Sequence, residues 1–308
     1  MPIQALKKHL KRFVAAADNR PRRKKAIKRL SESKLLPKEL RFKLRGFARA
    51  QWREEPLKST GGPFPFYYPS QSEVGIKAAE FGEWDDFSFI FKNFIKNPRT
   101  IIEVGSNIGI DTVPIAQLAG ESCRVFAFEP VKKYRDYLQM NVAENKLSNV
   151  ETRSDFLSNR SGDEIELHIN STSASAVANG TKSFPTLATE KAVTITLDDF
   201  AKNMKLDSLD FLKTDTDGYD QAVIEGGREI IAKYQPLLFV EFSGYLLEKA
   251  RGDSDRSLAE LLRGLGYNRF FLFAKEGAPP HELRGVEALL SKLNHESSAN
   301  VFAIPEKK

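Results

Sequence analysis

Glu103, Gly105, Asn107 and Gly109 in "IIEVGSNIGIDT", with Glu129 in "VFAFEP", could build one ligand site. The first block runs apolar residues into a carboxylate, then two glycines, then an amphipathic stretch. Where a buried strand hands over to a helix, glycine lets the backbone approach a ligand, and the helix N-terminus offers unpaired N–H groups to an anion. Glu129 ends the next apolar run, 20 positions beyond Gly109. From there a carboxylate can accept both hydroxyls of a bound ribose. The G-x-x-x-G spacing puts Asn107 where a dinucleotide fingerprint has its second glycine. Glu103 would repel a pyrophosphate and attract an ammonium or sulfonium group. Together these residues favour S-adenosylmethionine over a nicotinamide dinucleotide, with its carboxylate by the helix start, its ammonium near Glu103 and its ribose on Glu129.

A second constellation lies in "LDFLKTDTDGYD", where Lys213, Asp215 and Asp217 occupy alternate positions at the end of an apolar run. If the extended chain continues, alternate side chains share one side. Two close carboxylates raise one another's proton affinity, so one could take the proton of an attacking hydroxyl, with Lys213 opposing that shift. Asp215 is the expected base, and Glu241 either joins these acids or faces water. Methyl transfer from a sulfonium needs little more than such a base and an aligned acceptor, because the cofactor brings the electrophile. No metal site is expected. His9, His168, His281 and His295 are scattered, and the single cysteine, Cys123, opens an apolar run and reads as core.

The elements that must position these residues alternate. Strands are expected at 100–104, 124–128, 150–154, 209–214 and 237–242, with helices at 76–96, 108–119, 131–146 and 219–233. Apolar strands joined by crossover helices predict a parallel sheet covered on both faces, hence an α/β fold. A hairpin or edge pair is expected around "EIELHI" and "AVTITL", flanking a polar small-residue loop at 170–191. A helix at 256–264 and strands near "RFFLFA" and "NVFAIP" extend the sheet, in part antiparallel.

The chain has 308 residues, a formal net charge of +6 and 41% hydrophobic residues, enough for a real core. Residues 1–50 hold 17 Lys or Arg against 3 Asp or Glu, a net +14 that leaves −8 for the rest. Three domains are expected: a basic helical arm at 1–55, a Pro/Gly/aromatic linker at 56–75, and a catalytic body at 76–308. The arm could touch an anionic membrane surface or polymer, or pack on the acidic body. No specific nucleic-acid module is visible. No apolar run reaches the ~18 residues of a membrane span, and the charged start lacks a secretory signal's apolar core. A cytoplasmic protein, free to touch the inner face of the membrane, is expected.

In order, "IIEVGSNIGIDT", "VFAFEP", "NVETRSDFLSNRSGDEIEL", "TLDDF" and "LDFLKTDTDGYDQAVIEGG" resemble the blocks of the FkbM-type S-adenosylmethionine-dependent methyltransferases, across about residues 76 to 245. The resemblance implies the class I methyltransferase fold, a Rossmann-like, doubly wound, mostly parallel seven-stranded sheet, and O-methylation of hydroxyls, often on sugars. It implies that Glu103, Gly105, Asn107 and Gly109 line the methionine end of the cofactor, Glu129 the ribose, and Asp155 the adenine amino group. "LKTDTDG" corresponds to the family's L-K-I-D-V-E-G block beside the methyl group. Here Glu103 replaces the usual Asp, Thr214 and Thr216 replace apolar residues, and Asp217 and Asp220 replace glutamates. The expected acceptor is a glycan or similar hydroxyl-rich molecule. Two alternatives stay open: an NAD(P)-dependent oxidoreductase, and a non-catalytic adenosyl-ligand-binding scaffold anchored by its arm.

Overall fold

The computed structural model describes residues 56–60, 62–70, 72–81, 87–170, 174–175, 186–273 and 280–306. The expected basic arm at 1–55 lies outside them, as does most of the loop at 170–191. The chain forms β1 (Leu57–Ser59), β2 (Phe66–Tyr68), α1 (Glu73–Phe81), α2 (Ser88–Asn93), β3 (Thr100–Val104), α3 (Thr112–Ala119), β4 (Arg124–Phe128), α4 (Lys132–Glu144), β5 (Val150–Arg153), β6 (Phe156–Leu157), β7 (Glu164–Ile169) and β8 (Ala174–Ser175). It continues with β9 (Ala188–Ile195), α5 (Leu197–Asn203), β10 (Phe211–Thr214), α6 (Asp220–Glu225), α7 (Arg228–Tyr234), β11 (Leu237–Phe242), α8 (Gly244–Arg251), α9 (Asp255–Gly264), β12 (Tyr267–Leu272), β13 (His281–Arg284), α10 (Val286–Leu290) and β14 (Ala299–Pro305).

The main sheet has eight strands, in the order β13-β12-β14-β11-β10-β3-β4-β5. Seven were expected, and the extra one is β13 at the edge, antiparallel to β12. From β5 through β4, β3 and β10 to β11 the pairing is parallel. β14 then runs antiparallel to both β11 and β12. The order reverses between β3 and β10, which opens a crevice beyond their carboxyl ends. β6, β9, β7 and β8 form a smaller sheet, in which the expected hairpin appears as the antiparallel pair β7 and β9.

Alternation along the strands explains the two covered faces. Ile102, Leu212, Leu238 and Val240 point into a core closed by residues of α5, α6, α7, α9 and α10. Their neighbours Ile101, Phe211, Leu237 and Phe239 point into a second core with residues of α2 and α3. Successive strand side chains face opposite ways, so continuous apolar runs fill both layers. Glu103 and Lys213 fall in the second row, two positions beyond Ile101 and Phe211, and sit side by side in the β3–β10 register.

Two expected helices are divided. The 76–96 segment forms α1 and α2, with residues 82–86 between them outside the described residues. The 219–233 segment breaks into α6 and α7 at Gly226 and Gly227. A Cβ on Gly226 would lie 2.1 Å from the carbonyl oxygen of Ser158, and one on Gly227 would lie 2.6 Å from Leu197 Cδ2. α7 restarts because the Asp198 carboxylate accepts the N–H groups of Glu229 and Ile230, at 3.0 and 2.8 Å.

The proline- and aromatic-rich linker is a short antiparallel pair, β1 and β2, and part of α1. Phe64, Phe66 and Tyr68 are buried with Val113 and Tyr134, so these aromatics are core. Asn141, fully buried on α4, accepts the N–H of Tyr67 and donates to the carbonyls of Tyr67 (2.9 Å) and Ile108 (2.6 Å). It joins the hairpin to the loop after β3. Asn141→Ala strands these partners inside the protein, and urea unfolding should show a loss of about 2–4 kcal/mol. A loss below about 1 kcal/mol would contradict this role for Asn141.

Candidate active site

The turn after β3 has Gly105, Asn107 and Gly109 at φ +82°, +48° and +85°. Glycine enters this left-handed region freely, and asparagine is the side chain that tolerates it best. The N–H groups of Gly105 and Ser106 both donate to the Phe128 carbonyl, at 3.1 and 2.9 Å, which ties the turn to β4. A Cβ on Gly105 would lie 1.8 Å from the Asp215 carbonyl oxygen, and one on Gly109 would lie 2.7 Å from Leu138 Cδ1. The close approach of the β10 tip and of α4, parts of this chain, already requires glycine at both positions, which the sequence reading did not foresee. Gly105 still lines the cleft, whereas Gly109 lies behind it against α4.

Glu129, buried at the end of β4, accepts the N–H of Asn107 on one oxygen and that of Val131 on the other, each at 2.9 Å. Burial pushes its carboxyl up to about 7 against the pull of these two donors. Asp155 follows β5 and takes a 3.2 Å contact from Arg153 Nε. Asn107, Glu129 and Asp155 line one cleft. Pro130, Phe156, Leu157 and Leu167 supply apolar wall. Sequence reasoning missed this apolar lining. Leu167 belongs to the smaller sheet, and nothing local in the sequence says that β7 folds back over the crevice.

The far wall is Asp215, Thr216 and Asp217. Extended chain stops at Thr214, and Asp217 has φ +52° and Gly218 φ +105°. The expected strand-like alternation through Asp217 is therefore replaced by a turn, which still brings both aspartates to the cleft. Lys213 is 1% exposed and does not line the cleft. Its Nζ lies 3.1 Å from Asp111 Oδ2, 3.4 Å from Asp215 Oδ2 and 3.8 Å from Glu103 Oε1. The catalytic contact expected of Lys213 is thus corrected to an ionic tie below the surface. Asp111, which meets it from the N-cap position of α3, was not foreseen.

Glu103 is also corrected. It is fully buried under the turn, so it cannot touch a ligand ammonium directly. Thr112 Oγ1 donates to its Oε2 at 2.5 Å, while Oε1 accepts no hydrogen bond. Burial pushes its carboxyl up to about 7, with Lys213 pulling it down. Asp220 is buried and accepts the Thr214 hydroxyl at 2.7 Å, and burial next to Asp215 lifts it to about 6. Glu241 joins the acids. It is 9% exposed, its Oε2 accepts no hydrogen bond, and burial with Asp215, Asp220 and Asp217 facing it holds it well above the usual carboxylate range. Cys123 is buried, its thiol pushed up to about 12, as a core residue.

These raised carboxyls fix the sign of a pH effect. Each native carboxyl keeps its proton to higher pH than in the unfolded chain, so stability falls as pH rises from about 4.5 towards 7. Glu241→Gln keeps the shape and removes a carboxyl that the fold holds protonated and the unfolded chain ionises. The variant should melt about 3–6 °C above the parent at pH 8 and within about 1 °C of it at pH 5, by calorimetry. A lower melting temperature at pH 8 would show that the fold does not hold Glu241 protonated.

Comparison with solved structures gives similarity to "Methyltransferase FkbM" from Methylobacillus flagellatus KT, at 12% identity and TM-score 0.42, covering 92% of this chain and 59% of that one. Aeropyrum pernix fibrillarin, in complex with natively bound S-adenosyl-L-methionine, is 10% identical with TM-score 0.39, covering 68% and 67%. A SAM-dependent O-methyltransferase from Thermotoga maritima is 13% identical with TM-score 0.40, covering 78% and 73%. The chain therefore spans 59% of the length of the Methylobacillus protein, and these likenesses are weak. Comparison with curated proteins gives no match. The decisive similarity is in sequence: the family described as "Methyltransferase FkbM domain" matches residues 103–269, over half of the chain and every residue lining the cleft. The chain belongs to the FkbM methyltransferase domain family.

Proposed function

We propose that this methyltransferase carries a methyl group from S-adenosylmethionine to a hydroxyl of a glycan or related hydroxyl-rich acceptor. The observation that carries the reading is one cleft, at the carboxyl ends of parallel strands, with Asn107 and Glu129 on one wall and Asp215 on the other. The residues fit the cofactor. Each Glu129 oxygen holds one backbone N–H and keeps acceptor capacity for a ribose hydroxyl. Asp155 is assigned to the adenine amino group, and the turn at Gly105 and Asn107 to the methionine end. When bound, S-adenosylmethionine supplies an electrophilic methyl on a sulfonium, which leaves as a neutral thioether.

Asp215 suits the role of base. Its side chain is 37% exposed, so an acceptor can reach it, and Lys213 holds it from below at 3.4 Å. Taking the hydroxyl proton as the oxygen attacks is worth about 10²–10⁴ in rate. The rest of the acceleration is alignment by the walls. Asp217, beside it, adds negative charge that favours a cationic ligand and opposes a pyrophosphate, which weighs against the oxidoreductase alternative. The body at 76–308 is assigned the chemistry, and the +14 segment at 1–50 peripheral contact with an anionic membrane or polymer.

Calorimetry should detect S-adenosylmethionine binding, and Glu129→Ala should weaken it about 30-fold or more, the loss of two hydrogen bonds to a charged group. No binding at millimolar ligand would remove the reading. With labelled donor and fractionated cell glycans, lipids and proteins, label should enter a glycan fraction. Asp215→Asn should slow that transfer about 100-fold while changing donor affinity less than about threefold. Label confined to lipid or protein would overturn the acceptor class.

A further inference from the structure

Arg135 stands where helix electrostatics does not favour it. The first turn of α4 holds Lys132, Lys133 and Arg135 and no acid, and the N-terminal end of a helix repels cations. Asp136, the next residue of the helix, pairs with Lys132, at 2.7 Å. The half-buried Arg135 side chain instead turns back past the start of the helix, where its Nη1 donates to the carbonyl oxygens of Glu129, at 2.8 Å, and of Pro130, at 2.7 Å.

Those two carbonyls fall in the gap between strand and helix. The last ladder bond of β4 runs from the Glu129 N–H to the Arg153 carbonyl, at 3.0 Å, and the Val131 carbonyl accepts the Arg135 N–H, at 2.9 Å. Among the described residues no backbone N–H is donated to the carbonyls between them. Buried and half-buried backbone acceptors need a donor, and Arg135 supplies it to both. Arg135 does not line the cleft, whereas Glu129 and Pro130 do. Its charge also pulls the Glu129 carboxyl down, against the burial that raises it.

We propose that Arg135 is a positioning residue for the ribose of the methyl donor. It acts through Glu129, by fixing the Glu-Pro turn that aims the carboxylate into the cleft, and does not touch the ligand. This rests on the reading that Glu129 holds the ribose of S-adenosylmethionine. A carboxylate that accepts both ribose hydroxyls must be held in one orientation, because each degree of freedom left to it is lost again on binding. The N–H groups of Asn107 and Val131 fix its two oxygens, and the two bonds from Arg135 fix the backbone behind them.

The test is a double-mutant cycle on the full chain at pH 8, with calorimetry and S-adenosylmethionine as the probe. Arg135→Met keeps much of the apolar stem and removes the donors and the charge. It should weaken binding about tenfold in the parent and less than about twofold in the Glu129→Ala background, since residues that act through one contact are not additive. Arg135→Lys keeps a charged donor on a different head and should recover part of the loss. Should Arg135→Met not fold, Arg135→Lys runs the same cycle. Equal weakening in the two backgrounds would make Arg135 a general support of α4 and overturn the proposal. So would parent-like binding by the Arg135 variants while Glu129→Ala binds weakly. If the parent does not bind the probe, or Glu129→Ala binds it as well as the parent, the reading of Glu129 itself fails and the role of Arg135 falls with it.

Discussion

The buried amine of Lys213 is the hinge of this structure. Its Nζ reaches Glu103 from the neighbouring strand, Asp111 from the start of α3 and Asp215 at the cleft, all within 4 Å. Burying an ammonium costs several kcal/mol unless carboxylates compensate for it, and burying those carboxylates is as costly without the amine. The strand that carries the acceptor-side acid and the strand that carries the glycine turn are therefore held in register by charge as well as by backbone bonds. Breaking any one contact leaves the others uncompensated.

That tie explains the packing around it. With β3 and β10 adjacent, the Asp215 carbonyl occupies the space where a side chain at position 105 would be, and only glycine at positive φ fits. The turn that results aims the Asn107 N–H at Glu129, which fixes the carboxylate on one wall of the cleft while Lys213 fixes Asp215 on the other. Both walls are set before a ligand arrives, and such preorganisation is what alignment-driven transfer chemistry requires. The buried acids are the same arrangement seen from the stability side: carboxyls raised above their ordinary range weaken the fold near neutral pH.

Sequence pattern carries much of this and fails at identifiable points. The strands at 100–104, 124–128 and 237–242 have the expected bounds, because each is an apolar run closed by a glycine, proline or polar turn. The helix at 219–233 divides because the backbone at Ser158, far away in the chain, takes the space beside Gly226. Glu103 was legible as an acid at a strand end. Its depth was not, since one position along a strand decides between cleft and core, and only the β3–β10 register with Lys213 shows which. Likewise Asp111 reads as an ordinary helix-start acid until Lys213 is seen beside it. The apolar lining from β7 depends on a fold-back that no local periodicity encodes.

The central claim, that Glu129 and the Lys213-tied acids bound one site for a cationic adenosyl ligand, is tested most directly by a crystal structure of the full chain grown with S-adenosylmethionine. The account predicts ribose oxygens within about 3 Å of the Glu129 carboxylate and the sulfonium on the Asp215 side of the cleft. Density for the ligand elsewhere on the molecule, or lying in the cleft with its ribose turned away from Glu129, would contradict it.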